Sequence, residues 1–330
     1  MISRQKNIVN AASALRVGDW WSFVIPPILG IGYMGILVQD NSISNRHALS
    51  MLLLLLSTVG MASFGFLLNQ WTDREEDALG GKQNTTANLA FRPVLGLLIL
   101  SALLASLPWC FHDFSLLQWT CIGLQFGTLL IYHVPPIRAK NHSVLAVLLD
   151  SLYSSVFYSL LAWSLFQELQ SAQTMLLLVW CFGKGLRNII LHQIQDQSAD
   201  AASGRITLAH RFGLRSLRTA VLLVIFPAET FAGIIWMAAV DVPMAVLALY
   251  TGWSLVAFIQ AISNDGESPK LSALNHGFEL ILPYSTIALL MWKDPKWWFF
   301  LHFLLFPRPF VFLYRHFKIR LKKVQEQEEA

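Results

Sequence analysis

Charge is scarce in this chain. Lys, Arg, Asp and Glu make up 13% of its 330 residues, where a soluble globular domain typically carries about 25%. Length alone would permit one to three soluble domains, but the apolar residues, 55% of the total, are not spread as a soluble core spreads them. They come in runs of about 20, enough to cross a bilayer at about 1.5 Å per residue. Cysteine is scarce too. Cys110, Cys121 and Cys181 all lie in apolar segments without CxxC spacing, which excludes a disulfide or metal framework and leaves small buried hydrophobes as the reading. A cleavable signal peptide is also missing: the first apolar run starts near Trp20 and lacks a small-residue cleavage site. The pI near 9.0 does not signal nucleic acid, because the basic residues sit between and after apolar runs, as topology determinants do.

The runs predict spans at 19–38, 48–70, 93–111, 114–133, 144–166, 173–194, 217–239, 242–262, 274–292 and 296–314. The last is interrupted by Pro307, Arg308 and Pro309 and is equally readable as an interfacial or re-entrant segment. The expected fold is therefore an all-α polytopic membrane protein of nine helices, ten if the final segment crosses, since backbone in lipid must satisfy its own hydrogen bonds. One transmembrane domain over 1–330 is expected. It has two halves, about 1–133 and 134–292, then an extra hydrophobic segment and basic tail over 293–330. Lys and Arg cluster in one set of loops (Arg4, Lys6 and Arg16; Arg74, Lys82 and Arg92; Arg138 and Lys140; Arg205, Arg211, Arg215 and Arg218; Lys270), which assigns that set to the cytoplasm. The tail (Arg315, Lys318, Arg320, Lys322, Lys323) joins it if ten spans exist. Trp20, Trp21, Trp292, Trp297 and Trp298 lie at span ends and read as interfacial anchors.

Acids are few, yet four of them form an internal repeat. After the second span the chain reads Asn69-x-x-x-Asp73-x-x-x-Asp77-x-x-x-Gly81. After the sixth it reads His192-x-x-x-Asp196-x-x-x-Asp200-x-x-x-Gly204, 123 positions on. Residues four apart share a helix face. Each motif is therefore expected to present one carboxylate stripe, extended toward the membrane by Asn69 or His192. Carboxylates at that spacing repel unless a cation sits between them. They suit Mg²⁺, a hard ion that usually keeps waters and bridges to substrate phosphates. Asn69, Asp73, Asp77, Asp196 and Asp200 are the candidate metal ligands, and the four aspartates the candidate catalytic groups. The bland alternative is two solvated helix ends paired with Arg74 and Arg205.

Cations stand nearby to hold phosphate oxygens: Lys82, Arg138, Lys140, and Lys184 and Arg187 inside the sixth span, with Arg suited to forked contacts. Simple topology accounts equally well for Arg138 and Lys140, and an internal ion pair is the alternative for Arg187. Tyr132, Asp150, Tyr153, Asn188 and His192 are candidates to orient a second substrate or take its proton, each also readable as an interhelical hydrogen-bonding residue.

These motifs resemble the UbiA family of intramembrane prenyltransferases. Its first motif, Asn-x-x-x-Asp-x-x-x-Asp, is matched by Asn69, Asp73 and Asp77. Its second, Asp-x-x-x-Asp followed by Gly and Thr-Leu, is matched by Asp196, Asp200, Gly204, Thr207 and Leu208. Tyr132 to Lys140 (Tyr-His-Val-Pro-Pro-Ile-Arg-Ala-Lys) resembles the family's Tyr-Ser-x-Pro-Pro-x-Arg-x-Lys loop. The likeness runs from the first span through the ninth. Ala199 stands where many members have Gly, His133 replaces the usual Ser, and the Arg-Pro-x-x-Ser-Gly pattern is reduced to Arg92-Pro93 before Val94, Leu95 and Gly96. The resemblance implies nine helices around a central cavity that opens sideways to lipid, capped by the two aspartate loops on the cytoplasmic side. It also implies Mg²⁺ as cofactor, a prenyl diphosphate donor and a lipophilic acceptor, whether phenolic, quinone precursor or tetrapyrrole. The rival reading is a transporter or ion pathway, which internal repeats and buried charges also suit. An alcohol phosphotransferase lacks support, as its Asp-Gly-x-x-Ala-Arg string is absent. A catalytically silent scaffold is argued against by the four intact aspartates.

Overall fold

The computed structural model describes residues 14–39, 43–202, 204, 206–263 and 271–311. Arg4, Lys6, Arg205, Lys270 and the basic tail from Arg315 lie outside the described residues. Among the described residues the chain is helical throughout, with no strand. Its long elements are α1 (Val17–Leu37), α2 (Asn45–Thr72), the short α3 (Arg74–Leu79), α4 (Phe91–Phe111) and α5 (Leu116–His133). They continue with α6 (Ser143–Ser164), α7 (Ser171–Gln195), the short α8 (Gln197–Ala202) and α9 (Leu208–Phe212), then α10 (Leu214–Ala239), α11 (Met244–Ser263), α12 (Leu282–Lys293) and α13 (Trp297–Leu305). Seven of these, α1, α2, α4, α6, α7, α10 and α11, are long and apolar enough to cross a membrane. The protein is therefore integral to the membrane. The spans expected at 114–133 and 274–292 are helical as α5 and as α12 with its preceding turn, shorter or more polar than the other seven.

The segment expected at 296–314 is described as far as residue 311. α13 has nine residues and stops before Pro307, which cannot donate to the i−4 carbonyl; the chain is helical again over 308–311. The described part of this segment lies on its neighbours. Trp21 Nε1 donates to the Leu305 carbonyl at 2.7 Å, Tyr33 and His302 pair at 3.2 Å, and Arg308 reaches Glu279 at 2.8 Å. The expectation for Trp20 is corrected: it is fully buried and donates to the Leu15 carbonyl. Trp292 and Trp297 are exposed, as anchors are. Of the cysteines, Cys121 and Cys181 are buried but Cys110 is exposed.

Helices in lipid gain little from hydrophobic burial against one another, so close backbone approach matters more. α2 meets α4 at Gly60, where a Cβ would lie 2.4 Å from the Ala105 nitrogen. Ser57 Oγ donates to the Ala105 carbonyl at 2.6 Å beside it. α7 packs on α10 through an aromatic stack: Trp180 lies 5.2 Å from Trp236 and 4.8 Å from Phe278, and its Nε1 donates to Tyr250 at 2.9 Å. This stack sits in the first half of α7, the helix that ends at Gln195 just before Asp196.

Candidate active site

The two motifs fold alike. α2 ends at Thr72, and Asp73 leaves the helix at φ −101°, ψ 8° while its N–H still reaches the Asn69 carbonyl at 3.0 Å. The six-residue α3 follows, and Asp77 N–H reaches the Asp73 carbonyl at 2.7 Å. α7 ends at Gln195, Asp196 takes φ −90°, ψ 3°, and its N–H reaches the His192 carbonyl at 2.9 Å. The six-residue α8 follows, with Asp200 bonded back to the Asp196 carbonyl at 2.9 Å. Each turn then closes in the left-handed region, at Gly81 (φ 65°) and Gly204 (φ 74°), where a side chain is disfavoured. The expected straight stripe is thus amended: each helix breaks at its first aspartate, though the two acids of each motif remain one turn apart.

The repeat reaches further than the acids. Gln70 and Gln193 occupy equivalent positions, and both are buried. The Gln70 side-chain oxygen accepts the Thr85 N–H at 2.9 Å, and that of Gln193 accepts the Leu208 N–H at 3.1 Å. Thr85 and Leu208 are themselves 123 positions apart. In both halves a buried amide therefore pins the returning loop beneath the aspartates. Neither glutamine figures in the acid spacing, but both stand in the aligned strings as identical residues.

Basic side chains offset the acids. Lys140, nearly fully buried, contacts Asp73 and also the Thr72 hydroxyl at 3.2 Å. Arg138 bridges Asp73 at 3.2 Å and Glu76 at 2.8 Å, and donates to the Thr72 carbonyl at 2.8 Å. Lys82 crosses from the first motif to the second and meets Asp196 at 2.8 Å. Asn84 donates to Asp77 at 2.8 Å. His192 lies 3.8 Å from Asp196. Arg74, one of the expected bland partners, goes elsewhere: it binds the Thr86 and Leu89 carbonyls and stacks on Trp71.

One cavity of about 750 Å³ gathers these groups. Asp73, Asp77, Asp196 and Asp200 line it with Asn69, Lys82, Lys140 and His192. Its apolar wall comes from Ile28, Met61, Phe66, Leu129 and Ile189, and Tyr132, Asp150 and Tyr153 also face it. Four expected site residues do not line it. Arg187 is fully buried, with Nε and Nη2 on the two Glu229 carboxylate oxygens at 2.7 and 2.8 Å and Nη1 on Asn188 and Asn275. A buried guanidinium needs a matched charge, and Glu229 on α10 supplies it, so the alternative of an internal ion pair holds. Asn188 is drawn into that network. Lys184 is buried 5.2 Å from the Phe278 ring. Arg138 stands behind Asp73, outside the lining, and orients the acid in this structure.

The residues fit Mg²⁺ in one specific way. Among the described residues no three acidic, His or Cys side chains form a ready-made metal cage. Mg²⁺ usually takes one or two carboxylates and completes its octahedron with water and substrate phosphates. Two opposed aspartate pairs on one cavity, with amines against them, have the composition for a charged substrate and its counter-ions together.

A helical membrane fold with twin aspartate turns over an apolar cavity defines an intramembrane enzyme class that handles a lipid with a polyanionic head. Residues 28–281 match the UbiA prenyltransferase family, and the chain belongs to that family; it is a prenyltransferase by membership. Solved structures share the fold. A UbiA homologue from Archaeoglobus fulgidus bound to GPP and Mg²⁺ is 19% identical, with 84% of this chain and 99% of that chain covered and a TM-score of 0.62. An apo UbiA homologue from Aeropyrum pernix K1 is 15% identical over 81% of this chain and 98% of that one, with a TM-score of 0.61. A structure of digeranylgeranylglyceryl phosphate synthase is 12% identical over 87% and 98%, with a TM-score of 0.59. No curated protein matches the chain significantly.

Proposed function

We propose that this protein transfers a prenyl group from a prenyl diphosphate to a hydrophobic acceptor within the membrane, with Mg²⁺ held by Asp73, Asp77, Asp196 and Asp200. The observation that carries this reading is the meeting of both aspartate turns on one cavity, joined by Lys82 to Asp196. The archaeal homologue bound to GPP and Mg²⁺ supports it. When bound there, Mg²⁺ would supply positive charge against the leaving diphosphate. Lys82 and Lys140 line the same end and supply further positive charge to the phosphate oxygens, in place of their present carboxylate contacts. Arg138 and Gln70 hold Asp73 and the first loop in place, and Gln193 holds the second loop. The apolar wall takes the prenyl tail, at about 0.8 kcal/mol per buried CH₂, and shields the allylic cation from water. The chain acts as one transmembrane unit whose two halves each contribute an aspartate turn. The site faces the cytoplasm, as the Lys and Arg of its loops favour.

The test is turnover by the purified protein of radiolabelled prenyl diphosphates with mixed lipid extract, with and without Mg²⁺. Label should pass to a new lipid only with metal, and Asp73→Ala and Asp196→Ala should abolish this while inserting normally. Full turnover in both variants would overturn the assignment of the aspartates.

A further inference from the structure

The cavity wall carries a polar cluster that diphosphate binding does not use. α6 is interrupted at Leu152–Val156 by a π-helical turn, a feature that is rare in helices and concentrates at functional sites. Tyr153 lies in this turn and Asp150 two residues before it, and both face the cavity. The Tyr153 hydroxyl pairs with the Asp150 carboxylate, and Tyr153 is also within electrostatic reach of Asp73. The cluster therefore adjoins the aspartate end of the cavity. Lys184 on α7 lies near enough to offset the Asp150 charge from outside the lining.

Gln125 of α5 completes the cluster. Its Nε2 donates to the Tyr153 carbonyl and so anchors the π-helical turn. Its Oε1 has no hydrogen-bond partner among the described residues, although Gln125 is only 4% exposed and lines the cavity. A buried carbonyl oxygen in that state is a waiting acceptor for a ligand's donor. Two hydrogen-bond acceptors, a carboxylate and an amide oxygen, thus serve one polar patch of the wall, beside the Tyr132 and His133 rings that pack on Tyr153. Of the lining cations, Lys82 and Lys140 are engaged with the aspartate motifs and Arg16 with Asp19.

We propose that Asp150 takes the proton the acceptor gives up, with Tyr153 and Gln125 as positioning residues, and that the acceptor is a neutral, hydroxyl-bearing lipophile, not a carboxylate. The inference rests on the prenyl-transfer reading. As the acceptor's O–H yields its proton to an Asp150 carboxylate oxygen, the electron pair left behind drives bond formation from the acceptor's nucleophilic atom to C1 of the prenyl chain. The C1–O bond breaks, and its pair leaves on the diphosphate. One bond forms at C1 and one breaks, the proton rests on Asp150, and no oxidant or reductant is consumed. A carboxylated acceptor would set its charge against that of Asp150.

The test uses the full chain in detergent with Mg²⁺, a non-ionising thio analogue of geranyl diphosphate as donor probe, and tritiated 1-naphthol and 1-naphthoate as neutral and anionic acceptor probes. Wild type should bind 1-naphthol at least tenfold more tightly than 1-naphthoate. Asp150→Asn should lower single-turnover geranyl transfer to 1-naphthol at least 100-fold, with donor-analogue affinity within twofold of wild type. Formate should restore at least tenfold of the transfer lost in Asp150→Ala, a rescue that a purely structural aspartate would not show. Tyr153→Phe and Gln125→Leu should lower transfer 5- to 20-fold at unchanged donor affinity; they carry the test if the Asp150 variants fail to fold, and unchanged transfer in both overturns it. Equal binding of the two naphthalenes, no binding of 1-naphthol, undiminished transfer in Asp150→Asn, loss of donor affinity in that variant, or absent formate rescue would each overturn the proposal. Failure of wild type to bind the donor analogue would overturn the prenyl-transfer reading itself.

Discussion

The Arg187–Glu229 pair separates a structural cation from a substrate-binding one. Both side chains are at most 2% exposed, and the contact is bidentate. Arg187→Met leaves the Glu229 carboxylate buried without its counter-charge, which costs about 3–5 kcal/mol for pairs of this kind. Asn188 and Asn275 each lose a charged hydrogen-bond partner as well. The single substitution should therefore destabilise by at least about 3–5 kcal/mol. Glu229→Leu should do comparable harm by stranding the guanidinium. The double variant removes both charges at once, and such swaps run from neutral to stabilising. It should lie within about 2 kcal/mol of wild type, so that the two substitutions couple by several kcal/mol. The assay is reversible unfolding in detergent of wild type, both single variants and the double variant, with affinity for a prenyl diphosphate analogue and Mg²⁺ measured on the folded protein at low temperature. Donor affinity should stay within twofold throughout. If Arg187→Met unfolds like wild type, the energetic reasoning fails. If folded Arg187→Met loses tenfold or more in donor affinity, about 1.4 kcal/mol, the guanidinium belongs to the phosphate site after all.

Gly60→Ala places a methyl group against the Ala105 nitrogen and the Ser101 carbonyl; forcing α2 and α4 apart should destabilise by about 1–3 kcal/mol, read as a lower unfolding midpoint with donor affinity kept in the folded fraction. Lys82→Met removes the amine that joins the two motifs and should weaken donor-analogue binding about tenfold, since a charge-assisted contact is worth about 1.5–3 kcal/mol; titration calorimetry reads this directly. Gln193→Leu strands the Leu208 N–H, a loss of about 1–3 kcal/mol. It should raise amide hydrogen exchange in the second aspartate loop, while the first loop, held by Gln70, exchanges as in wild type.

Much of the site was legible in the primary structure because its elements are local. Four-residue spacing sets carboxylates one turn apart, and a left-handed glycine closes each turn, so Asp73, Asp77, Gly81 and their counterparts could be read directly. Gln70 and Gln193 were equally present in the repeat, but an amide carries no charge pattern, and its task is seen only when Thr85 or Leu208 returns to it. Trp20 reads as an anchor because aromatics at span ends sit in the interface; packing buried it instead. Arg187 lies inside the sixth span, roughly two to three turns before Asp196, and so reads as a phosphate ligand, whereas its partner lies 42 positions away on another helix.

The amino-acid order by itself determined that this chain lives in a membrane, that it is helical, and that two matched acid motifs recur 123 positions apart. Apolar runs and backbone hydrogen bonding leave lipid no other solution. Only the tertiary structure decided which cations serve those acids and which serve the frame, and that Gln125 meets Tyr153 on the cavity wall. These depend on which helix lies beside which. The hydrophobic pattern hardly specifies that choice, because lipid and neighbouring helices are equally apolar; close approach, as at Gly60, and buried charge pairing, as at Glu229, settle it.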